Sequence, residues 1–369
     1  MLNWAWIARL RELPWLVILT IVALGSFGLV VLYSAAGGSL QPWALKQGIR
    51  FAVLLVAMLL LAQVPLGVWL RWAYVLYGVV LLGLVGVEAL GAIGGGSRRW
   101  LDLGLIQIQP SEFMKLAIIL ALARFYHFLP RPFAGTFAAV WPPLLMIAAP
   151  AALVMLQPDL GTALAIGFGG VMMMFLAGVR LWLFLGAGAA AAAAMPVVWT
   201  TLHDYQRKRV LIFLDPSSDP LGAGYHITQS KIAIGSGGLA GKGFLQGTQS
   251  HLDYLPELHT DFVFATMAEE WGLLGGAFVI VAFGIILAWA VRTALDARAQ
   301  FSRLAAMGLA VTLFFYLAIN MMMVMGLAPV VGIPLPLVSY GGSAMMTVLL
   351  LLGIVMGIAR QRGPDLLQR

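Results

Sequence analysis

The sequence lacks cysteine and has few charged residues. With no cysteine in 369 residues, disulfides, thiol nucleophiles and thiolate metal sites are excluded. Charged residues make up 10% of the chain and hydrophobic residues 62%, a composition that excludes a soluble domain of this length. The five histidines match no zinc-site spacing. Neither a P-loop spacing nor an internal repeat occurs, so a nucleotide-phosphate cradle and an inverted-repeat transporter gain no support.

Apolar runs long enough to cross a hydrocarbon core of ~30 Å recur along the whole chain. Continuous apolar runs favour helices over strands. The sequence therefore predicts an all-α integral membrane protein, one polytopic domain over 1–369 with a large extracytoplasmic loop at 201–261. We expect about ten spans, near 14–36, 46–64, 68–93, 111–128, 138–157, 161–179, 181–200, 262–291, 304–327 and 338–359. A tight turn around Arg180 separates the sixth from the seventh and leaves counts of nine and eleven open.

The distribution of arginine predicts the orientation in the membrane. With ten spans and both termini in the cytoplasm, the cytoplasmic loops hold many arginines and few acids, as the positive-inside rule requires. These arginines are Arg9, Arg11, Arg71, Arg124, Arg131, Arg180, Arg292, Arg298, Arg303, Arg360, Arg362 and Arg369. Because they are scattered singly between spans, we expect no nucleic-acid binding. The first apolar run is long enough to remain as an anchor, and we expect no cleavable signal peptide.

The predicted outer loops carry most of the other polar residues, which indicates that function faces outward. Arg98 and Arg99 lie in a Gly/Ser-rich segment, where they could bind phosphate or anchor the chain at the interface. Lys115 follows one turn inside the next helix, so we expect it to pair with Glu112 or Asp159. Such a pair would stabilise the bundle, line a reaction cavity, or do both. Asp159 could instead cap the helix that it precedes.

Two further loops hold candidate binding residues. The large loop carries a basic cluster at 207–209, suited to anionic headgroups. It also carries a glycine-rich stretch around Lys242, where backbone amides could approach a phosphate. The loop at 326–343 contains too many proline and glycine residues for regular helix, so it must line water or be buried in protein. Ser339 and Tyr340 precede its glycine pair and would place hydroxyls at a helix start.

The segment from Leu255 to Gly272 holds the strongest candidates for catalytic residues. Glu257, His259 and Asp261 run from a polar loop into an apolar helix, and ionisable groups at a membrane boundary are functional candidates by default. Asp261, at the junction, suits a carboxylate that moves protons. Glu269 and Glu270 lie two turns deeper, where structural hydrogen bonding to a neighbouring helix is the favoured interpretation.

Together these motifs resemble the SEDS family of polytopic bacterial peptidoglycan glycosyltransferases. The similarity covers nearly the whole chain and is closer to the elongation branch than to the division branch. It rests on RRWLDLG, IQPSEFMKL, QPDLGTA, DYQ followed by RV and FLDP, GYHITQSKIAIGSGGLAGKG, LPELHTDFVFA with AEEWG, and GIPLPLVSYGGS. The resemblance implies a ten-span bundle in the bacterial inner membrane that polymerises lipid II for elongation and rod shape. It also implies an essential carboxylate, Asp261, and as partner a class B penicillin-binding protein, a single-span transpeptidase.

Glycosyl transfer with an undecaprenyl diphosphate leaving group needs a base, positive charge at the diphosphate, and an apolar path for lipids. Asp261 is the expected base. Mg²⁺ or Mn²⁺ could bridge the diphosphate on Asp261, Glu257 and Asp159, since hard cations prefer oxygen ligands. The expected substrate-binding residues are Arg98, Arg99, Glu112, Lys115, Asp159, Arg207, Lys242, Glu257, His259 and Ser339. Membrane lipids would surround the bundle.

Two other functions stay open at this point. A lipid II flippase or transporter would use Lys115, Asp159, Glu269 and Glu270 along a pathway, although such a pathway needs polar residues at both ends and these crowd at one. If the protein were a non-catalytic membrane scaffold, Asp261 would have no functional role. Polymerisation by purified protein distinguishes the three.

Overall fold

A computed structural model of the chain describes residues 12–90, 92–94, 97–102, 107–130, 133, 136–201, 204–219, 222–248 and 259–361. Ten helices in these residues coincide with the ten predicted spans. They are α1 (Trp15–Ala35), α2 (Ala44–Leu61), α3 (Leu66–Leu90), α4 (Pro110–Phe128), α5 (Trp141–Leu156), α6 (Leu160–Leu176), α7 (Leu181–Thr201), α10 (Val263–Asp296), α11 (Gln300–Val324) and α12 (Gly342–Arg360). Two more helices, α8 (Asp204–Leu214) and α9 (Ala223–Ser236), lie between α7 and α10.

The prediction of an all-α membrane protein is confirmed. Seven stretches of the described chain are helices long and apolar enough to cross a membrane, and shorter apolar helices cover Leu160–Leu176 and Leu181–Val197. Helix α4 is less apolar because it carries Glu112, Lys115 and Arg124. A polar helix of this kind is stable in a membrane bundle only when the other helices enclose it.

The centre of the bundle is built on α4, α11 and α12. Helix α11 packs against α4, α6, α10 and α12, and α4 also packs against α3 and α6. From Met114 to Ala123 every residue of α4 is buried. Glycines permit some of the closest helix contacts: a Cβ on Gly353 of α12 would lie 2.7 Å from the Met58 carbonyl oxygen of α2. Small residues at such crossings are typical of membrane helices, where close packing drives association.

Two segments that the sequence predicts as loops contain regular structure. The first loop forms a three-stranded antiparallel sheet of β1 (Ala92–Gly94), β2 (Ser97–Asp102) and β3 (Gln107–Ile108). The large loop contains α8 and α9, and α9 packs on α10. Ile227 and Ala233 of α9 are buried. Hydropathy missed these elements because they are short and half-polar, and their apolar faces are covered only in the folded bundle.

Helix α10 is broken at Gly272, whose φ of 61° and ψ of −154° are non-helical. The break leaves backbone groups without helical partners, and the glycine-rich stretch after α9 bonds to them. The four hydrogen bonds run from Lys242 N to Glu269 O (2.9 Å), Gly243 N to Glu270 O (3.1 Å), Leu273 N to Gly238 O (3.0 Å) and Leu274 N to Leu239 O (3.2 Å). We call this arrangement the backbone splice. It fixes the large loop to the helix that begins beside Asp261.

Candidate active site

Asp261 lies two residues before the first residue of α10, at the junction of loop and helix that the sequence predicts. Two neighbouring elements hold it. The side-chain amide of Asn320, on α11, donates to the Asp261 backbone carbonyl at 3.0 Å. Gly332 passes so close that an added Cβ would lie 3.5 Å from Asp261 Oδ2, and its φ of +70° favours glycine. Backbone without a side chain therefore faces the carboxylate.

Aromatic rings surround the residues just before Asp261. The His259 ring stacks on Trp43 with centroids 4.2 Å apart and planes 11° apart. The Tyr340 amide donates to the His259 carbonyl at 2.8 Å, and the two rings lie 6.0 Å apart. The Arg50 guanidinium carbon is 5.4 Å from the centroid of the Tyr340 ring. The site thus joins α2, the start of α10 and the segment before α12.

The Pro/Gly-rich segment from Gly326 to Gly341 is irregular and packed into protein, as the sequence predicts. Leu335, Leu337 and Val338 are buried. Ser339 has a structural task here, because its hydroxyl accepts from the Leu335 amide at 2.8 Å and its carbonyl accepts from Gln47 at 2.9 Å. Those hydrogen bonds hold the segment in its turn before α12.

Lys115 pairs with Glu112, one of the two predicted partners. Its ammonium lies 2.6 Å from Glu112 Oε1 and donates to the Tyr316 hydroxyl at 2.6 Å. That hydroxyl and the Thr347 hydroxyl donate to Glu112 Oε2 at 2.7 and 3.0 Å. All four side chains are buried. Each ionic oxygen and the ammonium therefore have partners, which such a desolvated pair requires.

Asp159 caps α6, so its carboxylate does not pair with Lys115. Its Oδ1 accepts from the Thr162 amide at 3.1 Å and its Oδ2 from the Gln109 side chain at 3.2 Å. Arg99 holds the same turn by donating to the carbonyls of Gln157 (3.1 Å) and Pro158 (2.7 Å). The two residues fix the start of α6, where an added Cβ on Gly161 would lie 2.5 Å from the Val331 carbonyl oxygen.

Two basic residues of the large loop are engaged with the protein. Arg207 donates to the carbonyls of Trp199 (2.9 Å) and Thr200 (2.5 Å) at the end of α7. Lys242 lies 2.6 Å from the fully buried Glu269, so its ammonium is paired with a carboxylate. The backbone amides of Lys242 and Gly243 donate to the carbonyls of Glu269 and Glu270 in the backbone splice. The side chains of Arg98 and Arg209, together with all of Glu257, lie outside the described residues.

Glu269 and Glu270 have structural hydrogen bonds, in agreement with the favoured interpretation. Glu269 Oε1 accepts from the Thr248 amide and hydroxyl at 2.9 and 3.0 Å. Glu270 accepts from the Ser34 hydroxyl of α1. Both carboxylates lie next to the break in α10, which they tie to the large loop and to α1.

An apolar groove opens between α1 and α2. It encloses about 580 Å³ and is lined by Leu29, Val30, Tyr33, Leu40, Ala44, Leu45, Gly48, Ile49, Ala52 and Phe244. Ala44 is adjacent to Trp43, which stacks on His259. The groove therefore includes the first residue of α2, directly after the residue that stacks on His259.

Sequence reasoning missed Trp43, Arg50, Tyr316 and Asn320. Asn320 offered a signal, because it is an amide inside an apolar run of methionines, and polar groups within spans tend to have specific partners. Arg50 gave a weaker signal as a cation about one turn into the predicted span 46–64. Trp43 and Tyr316 gave no such signal, because the chain contains many other aromatic residues.

Comparison with known proteins identifies the family. A family model for FtsW, RodA and SpoVE, described as a cell cycle protein, matches residues 14–363. The chain belongs to this family. The SEDS resemblance is thereby confirmed over nearly the full length of the chain.

The similar proteins include peptidoglycan polymerases. The peptidoglycan glycosyltransferase MrdB of Escherichia coli (strain K12) is 46% identical to this chain over 349 residues, which cover 94% of this chain and 93% of MrdB. A solved structure described as a peptidoglycan synthase complex that coordinates polymerisation and crosslinking is 35% identical, with a TM-score of 0.83 and coverage of 96% and 99%. The rod shape determining protein RodA of Thermus thermophilus is 30% identical, with a TM-score of 0.72 and coverage of 96% and 98%.

Proposed function

We propose that this chain polymerises lipid II into glycan strands and releases undecaprenyl diphosphate, in support of cell elongation and rod shape. It is a peptidoglycan glycosyltransferase of the SEDS family. The observation that carries the mechanism is the place of Asp261. Its carboxylate lies at the start of α10, at the junction of loop and helix, and faces the bare backbone of Gly332.

The reaction needs one proton transfer and one leaving group. The 4-hydroxyl of one sugar attacks the anomeric carbon of another, a new C–O bond forms, and the bond to the diphosphate breaks. Asp261 takes the proton of the attacking hydroxyl as general base. The diphosphate leaves with its negative charge and needs positive charge nearby.

The groove suits the polyprenyl tail of a lipid substrate. Its lining is apolar apart from the Tyr33 hydroxyl, and several lining residues, among them Val30, Leu45 and Ile49, are exposed where a membrane helix meets lipid. A tail lying there would place its diphosphate near Trp43 and His259. Arg50 stands on the same helix beside the lining residue Ile49, with its guanidinium against Tyr340, and supplies positive charge at that end.

The remaining binding roles stay proposals. Arg99, Glu112, Lys115, Asp159, Arg207 and Ser339 act here by holding the turns and helices that form the site. His259 presents its ring beside Asp261, where it can contact a sugar. Arg98 and Glu257, with Lys242 of the large loop, complete the substrate-binding set that the sequence suggests.

A divalent cation, Mg²⁺ or Mn²⁺, is part of the proposal as a source of positive charge for the diphosphate. Asp261 is the carboxylate at the site that would hold it. The Asp159 oxygens accept from Thr162 and Gln109, and no group of three or more His, Asp or Glu side chains suited to a metal occurs within the described residues. Polymerisation after chelation, with either ion added back, tests the requirement.

The proposed setting is the bacterial inner membrane, with both termini in the cytoplasm and the site facing outward. Multiple apolar helices and the membrane-protein relatives support a multi-pass protein.

The proposed partner is a class B penicillin-binding protein, whose single helix would pack on the lipid-facing side. Its outer domain would sit over the large loop. Polymerisation at saturating lipid II, with and without the partner, tests activation: equal rates with confirmed binding leave only a docking role.

The central test uses Asp261→Asn in purified protein with labelled lipid II. We expect normal folding and insertion and loss of glycan polymer. Near-normal polymer would exclude Asp261 as base. Movement of lipid II across liposomes without polymer in the unaltered protein would favour a flippase instead.

A further inference from the structure

Asn320 is a fully buried amide near the end of α11. Its Nδ2 donates to two backbone carbonyls, that of Asp261 at 3.0 Å and that of Ile333 at 2.8 Å. One carbonyl belongs to the segment that carries the proposed base. The other belongs to the irregular segment that passes in front of it. A single side chain thus joins the two segments.

The orientation of the amide follows from its partners. Both partners are carbonyl oxygens, which accept hydrogen bonds, so only the NH₂ group can face them. The Asn320 carbonyl oxygen then points into a buried space where it has no partner among the described residues. A buried polar atom without a partner is unfavourable. The protein tolerates this unpartnered oxygen at a residue whose NH₂ group bonds to the backbone of Asp261.

The segment that carries the Ile333 carbonyl also faces the Asp261 carboxylate. Gly332, next to Ile333, is the residue whose added Cβ would lie 3.5 Å from Asp261 Oδ2. The Tyr340 amide donates to the His259 carbonyl at 2.8 Å and joins the same two segments again. The distance between the carboxylate and the facing backbone is therefore set by two cross-links, and Asn320 supplies one of them.

Asn320 is itself held by the rigid centre of the bundle. Tyr316 lies one turn earlier on α11, on the same face, and its hydroxyl binds both Lys115 and Glu112. The helix face that carries Asn320 is thus fixed by a buried network of hydrogen bonds. A side chain on such a support can place a backbone group accurately.

We infer that Asn320 is a positioning residue for glycosyl transfer. It holds the Asp261 peptide and the Ile333 peptide at a fixed separation, so that the carboxylate meets the attacking hydroxyl at hydrogen-bond distance. It touches no substrate and acts only through Asp261. The inference rests on the proposed role of Asp261 as base.

The test compares steady-state kinetics of Asn320→Leu, Asn320→Gln and the unaltered protein with lipid II. Leucine has a similar volume and no donor. We expect Asn320→Leu to lower kcat at least tenfold while KM stays within about twofold, because a misplaced base slows chemistry without changing lipid binding. Asn320→Gln keeps the donors, and we expect its kcat to lie clearly above that of the leucine variant.

Thr312→Val is the matched control. Thr312 is buried on α11 two turns before Asn320, and its hydroxyl donates to the carbonyl of Gly308 in its own helix. It tests loss of a buried polar group from this helix without change at the site. We expect it to retain kcat within twofold, even where its melting temperature falls as far as that of Asn320→Leu.

Two results would overturn the inference. One is a kcat of Asn320→Leu within twofold of the unaltered protein. The other is an equal fall in kcat for Asn320→Leu and Thr312→Val, which would indicate a general effect on packing. If Asn320→Leu does not fold, Asn320→Ala takes its place, and a kcat per folded enzyme within twofold of that of the unaltered protein would also overturn the inference. Asp261→Asn in parallel separates these results from failure of the proposed function, since an active Asp261→Asn refutes the base and not the contact.

Discussion

The ammonium of Lys242 lies 2.6 Å from the carboxylate of Glu269, which is fully buried beside the break in α10. Thr248 donates to the same oxygen with its amide and its hydroxyl. The pair and the backbone splice act at the same place, one through side chains and the other through peptide groups. Together they attach the large loop to the helix that starts beside Asp261.

Loss of Lys242 should destabilise the protein by leaving a buried carboxylate without its counter-ion. We expect Lys242→Met to cost about 3 kcal/mol, within the range for breaking a buried pair, and the double variant with Glu269→Gln to recover part of that loss. Lys208→Met is the control, since Lys208 is exposed and 3.6 Å from Asp219, and such pairs contribute little. Thermal unfolding measures all three. Equal melting temperatures for the two single variants would contradict the prediction.

Gly241 should be intolerant of a side chain because of the backbone splice. Its φ is +82° and an added Cβ would lie 2.0 Å from the Glu270 carbonyl oxygen. Gly238 has a φ of +57° and no atom within 4 Å of an added Cβ. We expect Gly241→Ala to lower the melting temperature and the activity strongly. Gly238→Ala should show only the cost of the backbone conformation, about 1 kcal/mol. Similar melting temperatures would argue against the splice.

The buried network around Lys115 predicts a graded series of variants. Lys115→Met leaves Glu112 as an uncompensated charge and should lower stability and activity together. Tyr316→Phe removes one hydroxyl from the network and should cost about 1–3 kcal/mol, because it leaves buried groups short of one partner. Thermal unfolding and polymerisation of both variants check the order. A larger effect from Tyr316→Phe would contradict it.

The apolar groove predicts a substitution that selects against long lipid tails. Gly48 lines the groove, and an added Cβ there makes only an ordinary contact with Leu29 at 3.5 Å. We expect Gly48→Leu to fold, to fill the groove, and to raise KM for full-length lipid II severalfold. A short-tailed lipid II analogue should be affected less.

Gly78→Leu on α3 is the control for the groove, since nothing lies within 4 Å of an added Cβ there. It should leave KM for both lipids unchanged. Equal KM values for Gly48→Leu and Gly78→Leu with full-length lipid II would show that the groove does not hold the tail.

Much of the fold was predictable because it follows from local properties of the chain. Apolar runs predicted ten spans, and ten helices lie at those positions, with Pro110 in the first turn of α4 as its fixed φ requires. The place of Asp261 just before α10 was also predictable, since a polar loop ends where the apolar run begins. The resemblance supplied the family, and it came from ordered motifs spread along the chain.

The partners of the charged residues were not predictable to the same degree. Lys115 had two candidate acids at similar depth, and the packing of α4 against α11 and α12 placed Tyr316 and Thr347 so that Glu112 became the partner. The sequence offered Lys242 as a cation for a phosphate and did not indicate its pairing with Glu269, which lies beside the break at Gly272. Such contacts join residues far apart in sequence, and no local pattern records which helices meet.

The sequence by itself predicted that the chain crosses a membrane about ten times and that Asp261 lies where a loop meets a helix, because hydrophobicity and helix starts act over a few neighbouring residues. Tertiary structure alone decided that Asn320 and Gly332 lie against Asp261, that Trp43 stacks on His259, and that a groove opens between α1 and α2. These contacts bring together α2, α10, α11 and the segment before α12. Their geometry depends on how side chains of different helices fill the space between them.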